Sequence, residues 1–436
     1  MAGTTADPGQ ILDLEIGDVA HGGVFVARHE GRVVFVPDVL PGERVRVRLT
    51  DTRKSSFWRA EALEVTDASP HRRLHVWRQA DIDVAPDRRP GGADFGHIAL
   101  PYQRELKSRV LTDALRRFGG MADPVSDVAP AGSGVDGETE DGTGWRTRVS
   151  LHVDADGRIG PFAARSHRVI EADDLPLATP AVERSALALR SAEPGRIDLV
   201  QPADGRVRVL PRPERQPRGR GQAPKRGPAA PEVVVERVGG RAFRVDAGGF
   251  WQVHRLAAAS LTGAVTAALH EAGGVDPDGW HLDLYGGVGL FAAAIADVGG
   301  AATRVTSVES DARATEHAGE NLAEWVGARA ETGRVDRWLA RLVAEASVHE
   351  RERLSQGIVL LDPPRAGAGR EVVDAVAALA PAAVVYVACD PVALARDVST
   401  FRAAGYEPAG VRGLDLFPNS HHVEAVATLT RTGARR

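Results

Sequence analysis

Trp280-His281-Leu282-Asp283-Leu284-Tyr285-Gly286-Gly287-Val288-Gly289-Leu290-Phe291 runs from an apolar segment through a glycine-rich turn into a second apolar segment. Trp280–Leu284 reads as a buried strand and Gly289–Val298 as a helix, so the glycines sit where backbone N–H groups can approach a ligand. Alone this is a weak signal, and a plain glycine turn would look the same. Working outward, strands are predicted at Val305–Glu309, Gly357–Leu361 and Val384–Ala388. Helices are predicted at Leu256–Ala272, Ala312–Val326, Arg370–Leu379 and Val392–Ala404. Strand and helix alternate, the pattern of a doubly wound, Rossmann-like α/β domain.

Three strand ends carry chemistry. Glu309 closes the strand after the glycine turn, about 20 residues on, which suits a ribose-hydroxyl acceptor. A glycine turn paired with such an acid points to a nucleoside-containing cofactor. Leu361-Asp362-Pro363-Pro364-Arg365-Ala366-Gly367 follows the next strand and reads as a rigid active-site loop rather than an ordinary proline loop. Cys389, the sole cysteine of the chain, ends Val384-Val385-Tyr386-Val387-Ala388 and precedes Asp390-Pro391, an N-cap and first helical position. A thiol there is either an ordinary buried cysteine or a nucleophile at the ligand end of the sheet. A further acid, Glu424, opens an alternating apolar strand after Phe417-Pro418-Asn419-Ser420-His421-His422-Val423, where a general base would stand. Either histidine alone reads as part of a polar loop.

Upstream, residues 10–66 alternate apolar and polar in five short runs, the mark of a small β-barrel. The expected organisation is a tail at 1–9, an OB-like barrel at 10–67, a central α+β domain at 68–245 and the α/β domain at 246–436. Pro101–Phe118 is predicted helical, Trp145–Asp154 and Val207–Leu210 extended, and Ala129–Gly144 a mobile loop. Pro211–Pro231 is low-complexity, rich in Pro, Gly and Arg. It reads as a solvated insertion or as an arginine-rich arm for RNA phosphates.

The chain has 436 residues, 43% hydrophobic and 26% charged, with a net charge of −5. That is ordinary for a soluble protein of two or three domains. One cysteine excludes an internal disulfide and a cysteine-built metal site. No apolar run reaches the length of a membrane span and Met1–Gln10 lacks a signal core, so a cytoplasmic protein is expected.

Phe250-Trp251-Gln252-Val253-His254, DLYGGVGLF, LDPPRAG, ACDPVALARD and FPNSHHVEAV occur in an order and spacing that resemble the RNA uridine-5-methyltransferase family. Residues 10–70 resemble the TRAM domain, an RNA-binding barrel that often precedes it. The resemblance implies S-adenosylmethionine as cofactor, lined by Gln252, Tyr285, Gly287, Glu309, Asp336 and Asp362. It also implies Cys389 as nucleophile and Glu424 as base, with no metal. By the same resemblance, the sulfur of Cys389 adds to carbon 6 of uracil, carbon 5 takes the methyl group, and Glu424 removes its proton. RNA is the implied partner, 23S ribosomal RNA favoured over transfer RNA because transfer-RNA members often lack the barrel, and a monomer is expected. Candidate RNA contacts are the barrel, Arg146, Arg148 and the arginine-rich segment. Deleting residues 1–66 is expected to weaken binding to long RNA far more than it affects cofactor binding.

The chain departs from the family at several positions. Asp390 stands for a usual Asn, Ala388 for Ser, Gly286 for a frequent Cys and His254 for a frequent Asn. Pro90–His97 lacks the cysteines that hold an iron–sulfur cluster in many relatives. Asp390 is the departure of most concern, since a carboxylate beside a thiol tends to raise its pKa. The rival readings are an RNA-binding protein with a degenerate catalytic domain, an N-methyltransferase and a small-molecule methyltransferase.

Overall fold

The computed structural model describes residues 7–122, 124, 127–132, 137–214 and 231–432. The expected tail up to Ala6 and the arginine-rich segment 215–230 lie outside them.

Strands β1 (Ile11–Ala20), β2 (Val24–His29), β3 (Arg32–Val36), β4 (Arg44–Asp51) and β5 (Phe57–Asp67) close into a barrel in the order β1-β2-β3-β5-β4. The period-2 pattern decides which side chains enter it. Along β4, Val45, Val47 and Leu49 are buried while Arg44, Arg46 and Arg48 face out. The barrel is not a separable bead. Phe95 and Ile98 from the following segment, with Tyr102 and Leu106 of helix α1 (Leu100–Arg117), complete its core. Cutting at residue 66 would bare these four apolar side chains. Buried Glu43 also accepts both Nε and Nη2 of Arg72, at 2.6 and 2.8 Å.

Next comes β6 (Val128–Pro130), then β7 (Arg148–Val153), β8 (Ile159–Gly160), α2 (Pro180–Leu187), β9 (Gly195–Val200) and β10 (Arg208–Pro213). Strands 10, 9, 7 and 8 form an antiparallel sheet in that order. Pro211 pairs with Ile197, so the low-complexity stretch begins as an edge strand, where proline is tolerated. A hairpin of β11 (Val233–Val238) and β12 (Arg241–Asp246) leads into the α/β domain.

That domain runs α3 (Ala257–Glu271), β13 (Trp280–Leu284), α4 (Leu290–Gly299), β14 (Arg304–Glu309), α5 (Ala312–Asn321), β15 (Ala328–Thr332), α6 (Val335–Glu345) and α7 (Val348–Gln356). It continues β16 (Ile358–Leu361), α8 (Arg370–Leu379), β17 (Ala383–Ala388), α9 (Pro391–Ala403), β18 (Tyr406–Asp415) and β19 (Glu424–Arg431). The sheet order is β15-β14-β13-β16-β17-β19-β18-β6. The first five strands are parallel, and β19 is antiparallel to both neighbours. Alternate residues of one strand feed different cores: Val385 and Val387 join α3 and α4, whereas Val384, Tyr386 and Ala388 join α1, α8 and α9. This two-sided burial is why β16 and β17 read as unbroken apolar runs. The segment expected as a mobile loop from Ala129 instead starts by pairing with β18, Ala129 opposite Leu414.

Helix α1 grips the loop before β19. Lys107 and Asp415, both fully buried, form an ion pair, and Lys107 also donates to the Phe417 carbonyl at 3.0 Å. Gln103 exchanges hydrogen bonds with Asn419, donating at 3.0 Å to its Oδ1 and accepting at 2.8 Å from its N–H. Asp415→Ala should leave Lys107 charged and unpaired in the core, at a cost of about 3–5 kcal/mol. Urea unfolding checks this; a loss below about 1 kcal/mol would show that the site rehydrates on its own.

Candidate active site

Strand order reverses between β13 and β16, and the crevice beyond the carboxyl ends at such a point is where open α/β sheets hold ligands. A cleft of about 770 Å³ lies there. Gln252, Tyr285, Gly287, Glu309, Asp362, Cys389 and Glu424 all line it. Asp336 does not. It sits in the first turn of α6, ion-paired with Arg334 at 2.7 Å, and that hydrogen bond holds it down to about 2. Its charge still reaches Tyr285, whose phenol is pushed up to about 12, first by burial and then by Asp336.

The cofactor end is built by the glycine turn. Gly287 has φ of +53°, and a Cβ there would meet nothing within 4 Å, so the backbone faces open space. At Gly286 a Cβ would come within 2.0 Å of Ser307 Oγ, so the frequent cysteine of relatives would not fit this geometry. Glu309 accepts from the N–H groups of Gly287 (3.2 Å) and Asp311 (2.8 Å), which fixes its carboxylate at the strand end. Below the turn, buried Asp283 accepts from Ala292 N–H and Ser307 Oγ, and burial raises it to about 7. An open glycine backbone, a fixed acid and an apolar wall of Val288, Leu290 and Phe291 fit a nucleoside-containing cofactor.

The reacting end is built by strand direction. Strand β17 runs toward the cleft and β19 runs away from it. Ala388 pairs with Ala425, and the next step of that register sets Cys389 beside Glu424. Burial, then the carboxylates of Glu424 and Asp362, push the thiol up to about 12, with Arg365 opposing. Burial, then Asp362, raise Glu424 to about 8, again with Arg365 opposing. Asp362 rises to about 7 through burial and Asp283. Arg365 is thus the cation that counters this acidic cluster.

Asp390 does not direct its carboxylate at the thiol. Its Oδ1 accepts from Val392 and Ala393 at 3.0 and 2.8 Å, capping α9, and its Oδ2 contacts His21 of the barrel at 2.9 Å. The expected conflict between Asp390 and Cys389 is therefore relieved by the helix cap the sequence already marks and by His21, a partner no local reading contains.

Other expected contacts fall elsewhere. Arg148 is partly buried, donating to the carbonyls of Ala247 (3.3 Å) and Gly249 (2.7 Å) and paired with Glu236, so it joins β7 to the segment after β12. Arg146 lines the cleft. His254 is buried on Trp145 with ring centroids 5.2 Å apart, and desolvation lowers it to about 4. His421 is held by Asp94, Nδ1 to Oδ2 at 2.7 Å. Sequence reading passed over Asp397, which accepts from Ala368 N–H (2.7 Å) and Tyr386 OH (2.6 Å) and so anchors the Asp362–Gly367 loop to α9.

Among the described residues there is no group of three His, Cys, Asp or Glu side chains that would hold a metal. Among them, too, no helix is long and apolar enough to cross a membrane.

Fold and cleft together define a methyltransferase-type α/β domain joined to an OB-like barrel. Residues 6–63 match the TRAM domain family, and residues 275–432 match the tRNA (Uracil-5-)-methyltransferase family. An uncharacterized RNA methyltransferase of Streptomyces avermitilis is 38% identical, over 97% of this chain and 98% of its own. One from Bifidobacterium longum is 34% identical, over 96% of each chain. The chain belongs to this family of RNA uracil-5-methyltransferases and is an S-adenosylmethionine-dependent RNA methyltransferase. In structure it is similar to the Pyrococcus abyssi tRNA (uracil-54, C5)-methyltransferase, solved with S-adenosyl-L-homocysteine. The TM-score is 0.66 at 22% identity, covering 96% of this chain and 99% of that one.

Proposed function

We propose that this enzyme methylates carbon 5 of a uridine in RNA through a covalent Cys389 adduct, with Glu424 as the base. One observation carries the reading: Cys389 and Glu424 line the same cleft as the glycine turn and Glu309. Carbon 5 of uracil is too weak a nucleophile to react unaided. The Cys389 thiolate adds to carbon 6, and the electrons of the 5,6 double bond move to carbon 5 as an enolate. Gln252, Tyr285, Gly287, Glu309 and Asp362 would hold S-adenosylmethionine, whose sulfonium would give its methyl group to carbon 5 and leave as the neutral thioether S-adenosylhomocysteine. Glu424 then takes the proton from carbon 5, the double bond re-forms, and the Cys389 sulfur leaves as thiolate. Arg365 opposes the negative charge that builds beside both groups. Asp336 acts on the cofactor end through Tyr285 rather than by lining the cleft.

The target base is unstacked from its RNA to reach this depth. The barrel, residues 10–67, serves as the RNA-binding domain, and residues 246–436 carry the chemistry. The barrel alone does not assign the RNA, because the fold shared with the transfer-RNA enzyme spans 96% of this chain and hence most of the barrel. 23S ribosomal RNA, favoured by the resemblance, and transfer RNA are therefore tested side by side. The test is transfer of labelled methyl groups into fractionated ribosomal and transfer RNA, followed by nucleoside analysis. Label in 5-methyluridine supports the proposal; label only in an N-methylated base, or in none, overturns it.

The acid–base state gives a pH dependence. Glu424 works as a base only when ionised, and it titrates near pH 8. The thiolate fraction of Cys389 also grows with pH, since its pKa is pushed up to about 12. Both effects have the same sign, so kcat/KM should rise by roughly tenfold or more between about pH 6 and 8. A profile that falls over this range would contradict both roles.

A further inference from the structure

The turn between β1 and β2 lines a cavity together with Cys389. His21 extends from the turn to Asp390, Nε2 to Oδ2 at 2.9 Å. Asp390 immediately follows the cysteine and caps α9 with its other oxygen. The turn is seated tightly: Gly23 has φ of +72°, and a Cβ there would come within 2.3 Å of Asp94 Oδ2 and 2.8 Å of His421 Nδ1. Asp94 in turn holds His421. A cavity of about 140 Å³ lies under the turn, lined by His21, Cys389, Asp390, Arg365, His421 and His422. The barrel thus forms one wall of a space onto which the cysteine opens.

We propose that His21 is a positioning residue for methyl transfer: from the barrel it holds Asp390, and through Asp390 it sets the backbone that presents the Cys389 sulfur. This rests on the reading of Cys389 as nucleophile. Residues 389 and 390 join a strand end to a helix start, with no ladder partner of their own. The helix N–H groups fix one carboxylate oxygen of Asp390, and His21 fixes the other. Loss of His21 leaves a half-tethered carboxylate next to the sulfur, free to turn toward it. An asparagine at 390 would cap α9 equally well but would offer an N–H, not an oxygen, as its second group. With an asparagine the contact would require a neutral His21 accepting at Nε2, whereas the aspartate takes a hydrogen bond that His21 donates. Burial works against the Asp390 carboxylate, and His21 and the α9 N–H groups outweigh it and keep the group ionised. His21 is itself raised above its ordinary value, first by the Asp390 hydrogen bond. The charged groups around it are Asp390 and Arg396 on α9, Lys107 on α1, Arg365, and the Asp94–His421 pair.

The test uses the full chain and RNA carrying 5-fluorouridine at the target, whose fluorine blocks the final proton removal and traps the adduct. Adduct formation is followed at saturating RNA and cofactor, beside RNA affinity and melting temperature. His21→Ala should slow adduct formation by about tenfold, the scale of a small misplacement of a reacting group. RNA affinity and melting temperature should stay near those of the unaltered protein. His21→Gln, whose amide still donates to a carboxylate, should recover most of the rate. In an Asp390→Ala background, His21→Ala should have no further effect. The inference is overturned if His21→Ala forms adduct at the unaltered rate, if its loss matches an equal loss of RNA affinity, or if it adds to the Asp390→Ala defect. Absence of any adduct in the unaltered protein would instead strike the nucleophile reading itself.

Discussion

Cys389→Ala is expected to lose methyl transfer by at least about 10⁴-fold, the scale seen when a covalent nucleophile is removed. S-adenosylmethionine affinity should change little. The cofactor end of the cleft is set by Tyr285–Gly287, Glu309 and the turn hydrogen bonds, none of which involves the thiol. Removing one sulfur also leaves a strand end that is already capped from the helix side by Asp390. Calorimetric titration of the cofactor and methyl incorporation into RNA separate the two effects. Methyl transfer by Cys389→Ala at the unaltered rate would sink the covalent mechanism.

Glu424→Gln is expected to stop the reaction one step later. The thiolate can still add to carbon 6 and carbon 5 can still accept the methyl group, but the proton on carbon 5 has no base to take it. Protein and natural RNA should then accumulate as a covalent complex that survives a denaturing gel. Turnover should fall by about 10²–10⁴-fold, the usual weight of a general base. The substitution also removes the carboxylate that, after burial, most raises Cys389, so adduct formation itself should not slow. Fast turnover with no trapped complex would exclude Glu424 as the base.

The two variants are informative together because the pair is made by sheet topology. Glu424 is 35 residues from Cys389 in the chain, and nothing local brings them together. The antiparallel entry of β19 next to β17 does so, by setting the first residue of one strand beside the residue that follows the other.

The strands that line the cleft were legible because each is a short segment buried on both faces, apolar throughout in Val384–Ala388 and broken only by the buried polar His281, Asp283, Thr306 and Ser307 in the other two. Trp280–Leu284, Val305–Glu309 and Val384–Ala388 are of this kind, and each lies within a residue or so of its observed bounds. The barrel was legible for the complementary reason: one face of each strand meets solvent, so the alternation is plain. Elements without either signature went unassigned. Strand β15, Ala-Arg-Ala-Glu-Thr, is an edge strand of half-exposed residues, and β6 is a three-residue strand within a Gly- and Asp-rich stretch. Edge strands bury too little for composition to mark them.

From its residues alone the chain determined the α/β series, the barrel, the glycine turn and the acids at strand ends, because local periodicity and turn chemistry specify these within a few residues. The cysteine and the two histidines before Glu424 kept an alternative reading at that level. Only the tertiary structure decided what surrounds them. Pairing between distant segments set Cys389 beside Glu424, moved Arg148 into an internal hydrogen-bond network and left Asp336 off the cleft. Packing of Phe95, Ile98, Tyr102 and Leu106 into the barrel turned an apparent appendage into part of one body. It also brought His21 to Asp390, 369 residues away in the chain, a distance over which no pattern of propensity or period carries information.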